Sequence, residues 1–221
     1  LKTLTGVTLT MKEDKASKTD KVYLTWNNDN GVENVKYVYT LQKLDENGKY
    51  QNVGAEVEIL GKANLEAKEK EITSDIEANE VYKVSMKAIS TGTAVTANAE
   101  ETVTEAFFRL DAGNFTPIAL EATDTSVTLS VLKEVKVNGT RATYSAEVRE
   151  VEEREAGSLT LGPATTKSAS VVDGKIMING LSAGKEYVVR IIATVSGITG
   201  KSAPIGKTDA DIIKTYKTAP S

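Results

Sequence analysis

The chain has 221 residues, of which 40% are hydrophobic and 26% charged, and its formal net charge is −4. These proportions are typical of a folded globular protein rather than a disordered one. The acidic balance excludes the basic field that nucleic-acid binding usually needs. No apolar run approaches the roughly 20 residues that span a bilayer, so we expect no membrane insertion.

The chain contains no cysteine and no histidine. Zero cysteine removes disulfides, thiolate zinc sites and cysteine nucleophiles. Zero histidine removes the commonest general base and the commonest transition-metal ligand. We therefore predict no catalytic residue, no cofactor-binding residue and no enzymatic activity.

The first half of the chain alternates apolar and polar residues, the pattern of half-buried strands. Three segments carry it, 22–26, 36–43 and 82–88. Val22, Leu24 and Trp26 share one face of the first segment, and their shared face predicts that Trp26 is a core residue. Asn30-Gly31 and Asn47-Gly48 supply residues that tolerate the positive φ of tight turns.

One segment of the first half, 64–71 (NLEAKEKE), is rich in helix formers. It could form one turn of surface helix. We favour a loop that leads into a strand at Ile72.

The second half repeats the alternation over 127–131 and 187–193. Asp173-Gly174 lies between two apolar runs and predicts a hairpin, and Asn138-Gly139 is a similar signal. The segment 147–155 (EVREVEERE) suits a helix by composition. The alternation of Tyr144, Ala146 and Val148 favours a strand with a charged outer face.

The two halves are related by an internal repeat. Trp26 and Val131, Tyr39 and Tyr144, and Tyr82 and Tyr187 are each 105 residues apart, and Ile76 and Leu181 keep this offset. A period of about 100 residues is a whole sandwich domain. We predict an all-β chain of two tandem antiparallel β-sandwiches with about seven strands each, a first domain over 1–112 and a second over 113–221.

Aromatic residues cluster near the predicted join. Phe107 and Phe108 precede it and Phe115 follows it. Because water disfavours exposed rings at about 25 cal/mol per Å², we expect these side chains to be buried against one domain or across the junction.

The segments 76–88 and 181–193 resemble the E–F corner and F strand of fibronectin type III domains, in which an apolar residue stands six before a tyrosine that opens an alternating strand. Trp26 looks like the B-strand core tryptophan of that family. The resemblance covers both halves, and bacterial immunoglobulin-like domains give similar patterns. It implies structural roles for Tyr82 and Tyr187. A buried tyrosine ring whose hydroxyl bonds nearby backbone suits a corner between sheets.

Two clusters of oxygen-bearing side chains are the candidates for chemistry. Asn27, Asp29 and Asn30 lie in an oxygen-rich loop that is a weak calcium candidate, although Asn and Asp are ordinary turn residues. Four glutamates, Glu150, Glu152, Glu153 and Glu155, are interleaved with arginines. We interpret the second cluster as a solvated face with ion pairs rather than a glycosidase pair. Apart from the weak calcium candidate, we expect no cofactor and no metal.

Three functions remain open. The composition is similar to that of exported wall and surface-layer proteins of Gram-positive bacteria, which predicts an extracellular, cell-surface location and non-catalytic structural or spacer modules. The alternatives are an adhesin-type module for a host protein or glycan, and an accessory domain pair of an extracellular polysaccharide-degrading enzyme. The start at Leu1 and the linker-like end lead us to expect a piece of a longer protein, whose other domains, with neighbouring surface proteins, are the expected partners.

Overall fold

The computed structural model describes residues 1–27, 30–93, 96–137 and 139–217. The chain divides into two compact units, Leu1–Phe108 and Arg109–Ser221. The division falls four residues before the join predicted at 112. It leaves Phe107 and Phe108 in the first unit and Phe115 in the second.

The first unit is built from two sheets. Its strands are β1 (Thr8–Glu13), β2 (Asp20–Thr25), β3 (Val35–Leu44), β4 (Tyr50–Asn52), β5 (Val57–Glu58), β6 (Glu69–Glu71), β7 (Tyr82–Ser90) and β8 (Thr102–Val103). One sheet has the order β1-β2-β6, and the other has the order β4-β3-β7-β8 with β5 also paired to β3. All the pairings within these sheets are antiparallel.

Both sheets of the first unit bury one face in a single core. Val22 and Leu24 of β2 and Val84 and Met86 of β7 belong to the same hydrophobic cluster, and all four are at most 1% exposed. Because side chains alternate across a strand, this shared face produces the period-two pattern of the sequence. The first unit is therefore a β-sandwich.

The only α-helix in the described part of the chain is α1 (Lys62–Ala67), and it corrects one prediction. The loop expected over 64–71 is instead this helix followed by β6, and no strand starts at Ile72. Lys68 adopts a left-handed conformation (φ 52°) that ends the helix. Ile72 is buried directly after β6, and its N–H donates to the Val22 carbonyl. None of the helical residues is buried, so intrinsic helix propensity rather than core packing determines the conformation of this segment.

The second unit has strands β9 (Phe108–Leu110), which spans the boundary, β10 (Phe115–Ile118), β11 (Val127–Val131), β12 (Lys136–Val137), β13 (Thr140–Arg141), β14 (Thr143–Glu155), β15 (Ser158–Leu161), β16 (Thr165–Val172), β17 (Lys175–Ile178), β18 (Glu186–Val195), β19 (Ile198–Ser202) and β20 (Ile213–Lys214). The main order is β10-β11-β17-β16-β14-β18-β19, with β15 also paired to β14 and β20 to β18. The all-β sandwich class predicted from the sequence is confirmed. The strand predicted over 147–155 and the hairpin at Asp173-Gly174 are confirmed as well.

One strand joins the two layers of the second unit. Residues 165–168 of β16 pair with β14, and residues 169–172 pair with β17. A strand that changes sheets in this way makes a corner of the sandwich. The equivalent layers of the first unit are separate sheets.

Both units contain the same tyrosine corner. The backbone N–H of Glu77 donates to the Tyr82 hydroxyl oxygen at 3.0 Å, and that of Ser182 donates to the Tyr187 hydroxyl oxygen at 2.8 Å. Both rings are buried, and in each unit the donor stands five residues before the tyrosine. The structural role predicted for both tyrosines is confirmed. Burial raises the pKa of Tyr82, and the hydrogen bond from Glu77 only partly opposes that rise.

We expect Tyr187→Phe to lower the free energy of unfolding of the second unit by about 1 kcal/mol, because the Ser182 N–H loses its acceptor. Ser182 is exposed, so water can replace the hydroxyl and the loss stays at the low end of the range for a broken hydrogen bond. Urea unfolding followed by circular dichroism measures it. Tyr216→Phe, at an exposed tyrosine, is the control and should cost much less. A loss no greater than that of the control would show that the hydroxyl bond contributes nothing.

Candidate functional site

The asparagines of the calcium candidate contact the start of the chain. The Asn30 side chain accepts from the Lys2 N–H at 2.8 Å and donates to the Lys2 carbonyl at 2.9 Å. The Asn27 amide fills the space where a Cβ on Gly6 would lie, with Nδ2 1.9 Å from that position. Asp29 lies outside the described residues. The Asn30 side chain is hydrogen-bonded to Lys2, and the Asn27 side chain packs against Gly6. A calcium site in this loop stays a prediction.

The glutamate-rich strand is the outer part of β14. Glu152, Glu153 and Glu155 are exposed. Its arginines contact groups outside the cluster: Arg149 Nε donates to the Gly162 carbonyl at 2.7 Å, and Arg154 Nε lies 3.0 Å from Glu186. The cluster is the solvated face expected from the sequence. The ion pairs of Arg154 are formed with Glu186 and Asp209 rather than with the four glutamates.

Arg154 organises the loop that leads to the last strand. Its side chain is only 18% exposed, and it donates to the carbonyls of Gly206 and Lys207 at 3.0 and 3.2 Å. Gly206 has φ +100°, and a Cβ there would lie 2.6 Å from the Tyr187 carbonyl oxygen. The loop therefore needs glycine at this position.

Asp211 closes the same loop. Its carboxylate accepts from the N–H groups of Gly206 and Thr208, both at 3.0 Å, and from the Thr208 hydroxyl at 2.6 Å. Burial by itself would raise the pKa of Asp211, but these hydrogen bonds outweigh it and lower the pKa below its ordinary value. The ionised carboxylate thus stabilises the folded loop.

We expect Asp211→Asn to cost about 1 kcal/mol of stability at pH 7, since the amide nitrogen cannot accept hydrogen bonds. The folded-state pKa lies below the unfolded value of about 3.9. The contribution is therefore complete above the unfolded pKa and is lost as the pH falls through the folded pKa. Urea unfolding measured between pH 7 and pH 2 should show that the difference in unfolding free energy between the variant and the parent chain becomes smaller as the pH falls. Glu155→Gln is the control, since Glu155 is an exposed carboxylate of the same unit. A pH-independent difference would contradict the assignment.

An apolar groove of about 440 Å³ lies within the second unit. One wall is formed by β10, the turn after it and β11, and the other by residues 212–217. The apolar residues around it are Pro117, Ile118, Ala119, Ala122, Val127, Leu129, Ile212 and Ile213. Four of them, Ala122, Val127, Leu129 and Ile213, are buried, so the accessible apolar surface belongs to Pro117, Ile118, Ala119 and Ile212. This groove was not predictable from the sequence, because its two walls, within 117–129 and 212–217, are far apart in the chain and only the fold brings them together.

The wall formed by 212–217 is fixed by hydrogen bonds to two other segments. Thr215 is buried, and its hydroxyl donates to the Ser182 carbonyl at 2.7 Å and accepts from the Lys185 N–H at 3.1 Å. The Tyr216 N–H donates to the Thr123 carbonyl at 2.9 Å. The groove is therefore preformed, as small-molecule sites usually are.

Among the residues that the structure describes, no three His, Cys, Asp or Glu side chains are grouped as a metal site would require. In the same part of the chain, no helix has the length and hydropathy needed to cross a bilayer.

The architecture places the chain among tandem antiparallel β-sandwich proteins. No family model and no curated protein matches the chain. Similar solved structures include a two fibronectin type III domain segment of chicken tenascin, with 18% identity, a TM-score of 0.35, and coverage of 96% of this chain and 99% of that chain. Another is chicken CNTN1 FN1-FN3 domains, with 14% identity, a TM-score of 0.35, and coverage of 98% and 67%. The fold assignment rests on the sheets themselves and not on these values.

Proposed function

We propose that this chain is a pair of non-catalytic structural or spacer modules of an extracellular bacterial surface protein. The observation that supports the proposal is the burial of aromatic side chains in the cores of the two sandwiches. The rings of Trp26, Tyr37, Tyr82 and Tyr187 are buried, and the three tyrosine hydroxyls are bonded to backbone of their own unit. Buried rings of this kind stabilise the cores and are not available as a surface on which a ligand could bind.

The tryptophan bears on the adhesin and polysaccharide alternatives. Glycan-binding sandwiches would be expected to expose aromatic rings on a flat face, whereas Trp26, the single tryptophan, is 3% exposed. The absence of cysteine from the sequence supports a bacterial source mildly, since secreted animal sandwiches often carry disulfides. The proposed partners are the other domains of a longer chain and neighbouring surface proteins.

The experiment that tests a spacer role is single-molecule stretching of the chain between two reference domains. We expect two unfolding events, each releasing about 35 nm, because roughly 105 residues extend at up to about 3.6 Å each. Release of both units at forces below those of the reference domains, or a single event of twice the length, would contradict two load-bearing modules.

A binding screen distinguishes the alternatives. The purified chain should show no saturable binding to polysaccharides or extracellular host proteins and no turnover of polysaccharide or peptide substrates. Saturable glycan or host-protein binding would favour the adhesin or accessory-module function. Turnover that a point substitution in this chain abolishes would overturn the non-catalytic assignment.

A further inference from the structure

The apolar groove of the second unit carries an unusual charge for this chain. The whole chain is acidic, with a net charge of −4. The charged residues that line the groove are Lys214 and Lys217, and no carboxylate lines it. Both lysines are exposed, and neither forms an ion pair within the described part of the chain.

The carboxylate closest in register to these lysines is occupied elsewhere. Glu186 is the strand partner of Lys214 in the β18–β20 pair, but its side chain accepts from Arg154 Nε at 3.0 Å. Glu121, on the turn beside the groove, is paired with Lys175 at 2.5 Å. These two carboxylates therefore do not neutralise the cationic rim.

A preformed apolar groove with unpaired cations at its rim is complementary to an amphiphile of opposite charge. We propose that this groove binds an aliphatic carboxylate of medium chain length, with the alkyl chain along the half-buried side chains of Pro117, Ile118 and Ile212 and the carboxylate at Lys214 and Lys217. A volume of about 440 Å³ lies within the range of small-molecule sites. The site is independent of the spacer role, which concerns the folded cores.

Both parts of such a ligand gain from this geometry. Each methylene group removed from water contributes about a fourfold gain in affinity. Each exposed lysine–carboxylate contact adds a smaller gain that salt weakens. The expected pattern is thus a strong dependence on chain length together with a modest preference for the anion.

The test uses the isotope-labelled chain and sodium decanoate below its micelle concentration. NMR titration should give saturable shifts confined to residues of the two walls. Octanoate should bind about sixteenfold more weakly, from two fewer methylene groups. Decanol should bind about tenfold more weakly than decanoate, decyltrimethylammonium should bind more weakly still because the lysines repel it, and higher salt should reduce both differences.

Matched variants separate the groove from nonspecific binding. Lys214→Gln/Lys217→Gln should weaken decanoate binding about tenfold and leave decanol binding unchanged. Lys133→Gln/Lys136→Gln removes the same charge from exposed positions outside the groove and should change neither. Ala119→Trp at the exposed rim should weaken both ligands. Shifts spread outside the walls, equal binding of decanol and decanoate, or an undiminished affinity in the double lysine variant would each overturn the proposal.

Discussion

Replacing Trp26 with alanine should lower the free energy of unfolding of the first unit by about 3–5 kcal/mol, the usual cost of removing a large buried aromatic side chain. The Trp26 ring is 3% exposed and stacks on Tyr37, with centroids 5.7 Å apart and planes inclined by 27°. Its loss removes both the buried area and the ring pair. Urea unfolding followed by circular dichroism measures the change.

Trp26→Phe is the matched control, because it keeps a ring against Tyr37 and should cost clearly less than the alanine variant. A loss below about 1 kcal/mol for Trp26→Ala would contradict a core role. So would native tryptophan fluorescence that is red-shifted and readily quenched.

Replacing Phe115 with alanine should cost the second unit a similar amount, about 3–5 kcal/mol. Phe115 is 2% exposed and meets Tyr144 edge to face, with centroids 6.2 Å apart and planes at 75°. It is the direct strand partner of Val131, the residue that occupies the tryptophan position of the repeat. In the first unit the aromatic partner of Tyr37 is Trp26, which directly follows β2. In the second unit the partner of Tyr144 is Phe115 on β10, and the equivalent of Trp26 is Val131 on β11.

A double variant tests whether a ring at position 131 can replace the ring of Phe115. Adding Val131→Phe to Phe115→Ala returns a ring to the strand that carries it in the first unit, and the double variant should recover part of the lost stability. Val131→Phe in the parent chain is the control and should be neutral or destabilising, since a ring already fills the space. A double variant less stable than Phe115→Ala alone would show that the two positions cannot substitute for each other.

The repeat was predictable from the sequence for β7 and β18, but not for the longer strands β3 and β14. Tyr37 pairs with Ala88 in the first unit, and Tyr144 pairs with Ala193 in the second. The true equivalents in β3 and β14 are thus Tyr37 and Tyr144, which are 107 residues apart, and the predicted pairing of Tyr39 with Tyr144 is wrong. A constant offset cannot detect two residues gained between strands, whereas backbone pairing fixes the register directly.

The hydroxyl groups show the same correspondence. The Tyr37 hydroxyl accepts from the Asn30 N–H at 3.2 Å, and the Tyr144 hydroxyl accepts from the Val135 N–H at 3.1 Å. Both tie the start of a long strand to the loop before it. Tyr39 is instead equivalent to Ala146, and burial raises the pKa of the Tyr39 hydroxyl.

Strands and turns were predictable because their signals are local. The alternation around Val22 and Val189 and the Asp173-Gly174 turn depend on neighbours in sequence. The rings near the join were expected to be buried against one domain or across the junction. Phe107 packs on the core of the first unit and Phe115 on Tyr144 of the second. The groove and the Arg154 contacts were not predictable, because they join segments that are between 32 residues and about 100 residues apart.

One sandwich architecture is used twice in this chain, and its aromatic pair is formed from different strands in the second copy. Aromatic NOE spectroscopy on the whole chain tests this most directly. We expect contacts between the rings of Trp26 and Tyr37 and between those of Phe115 and Tyr144. NOEs from Trp26 to Tyr39 in place of Tyr37, or no contact between Phe115 and Tyr144, would contradict it.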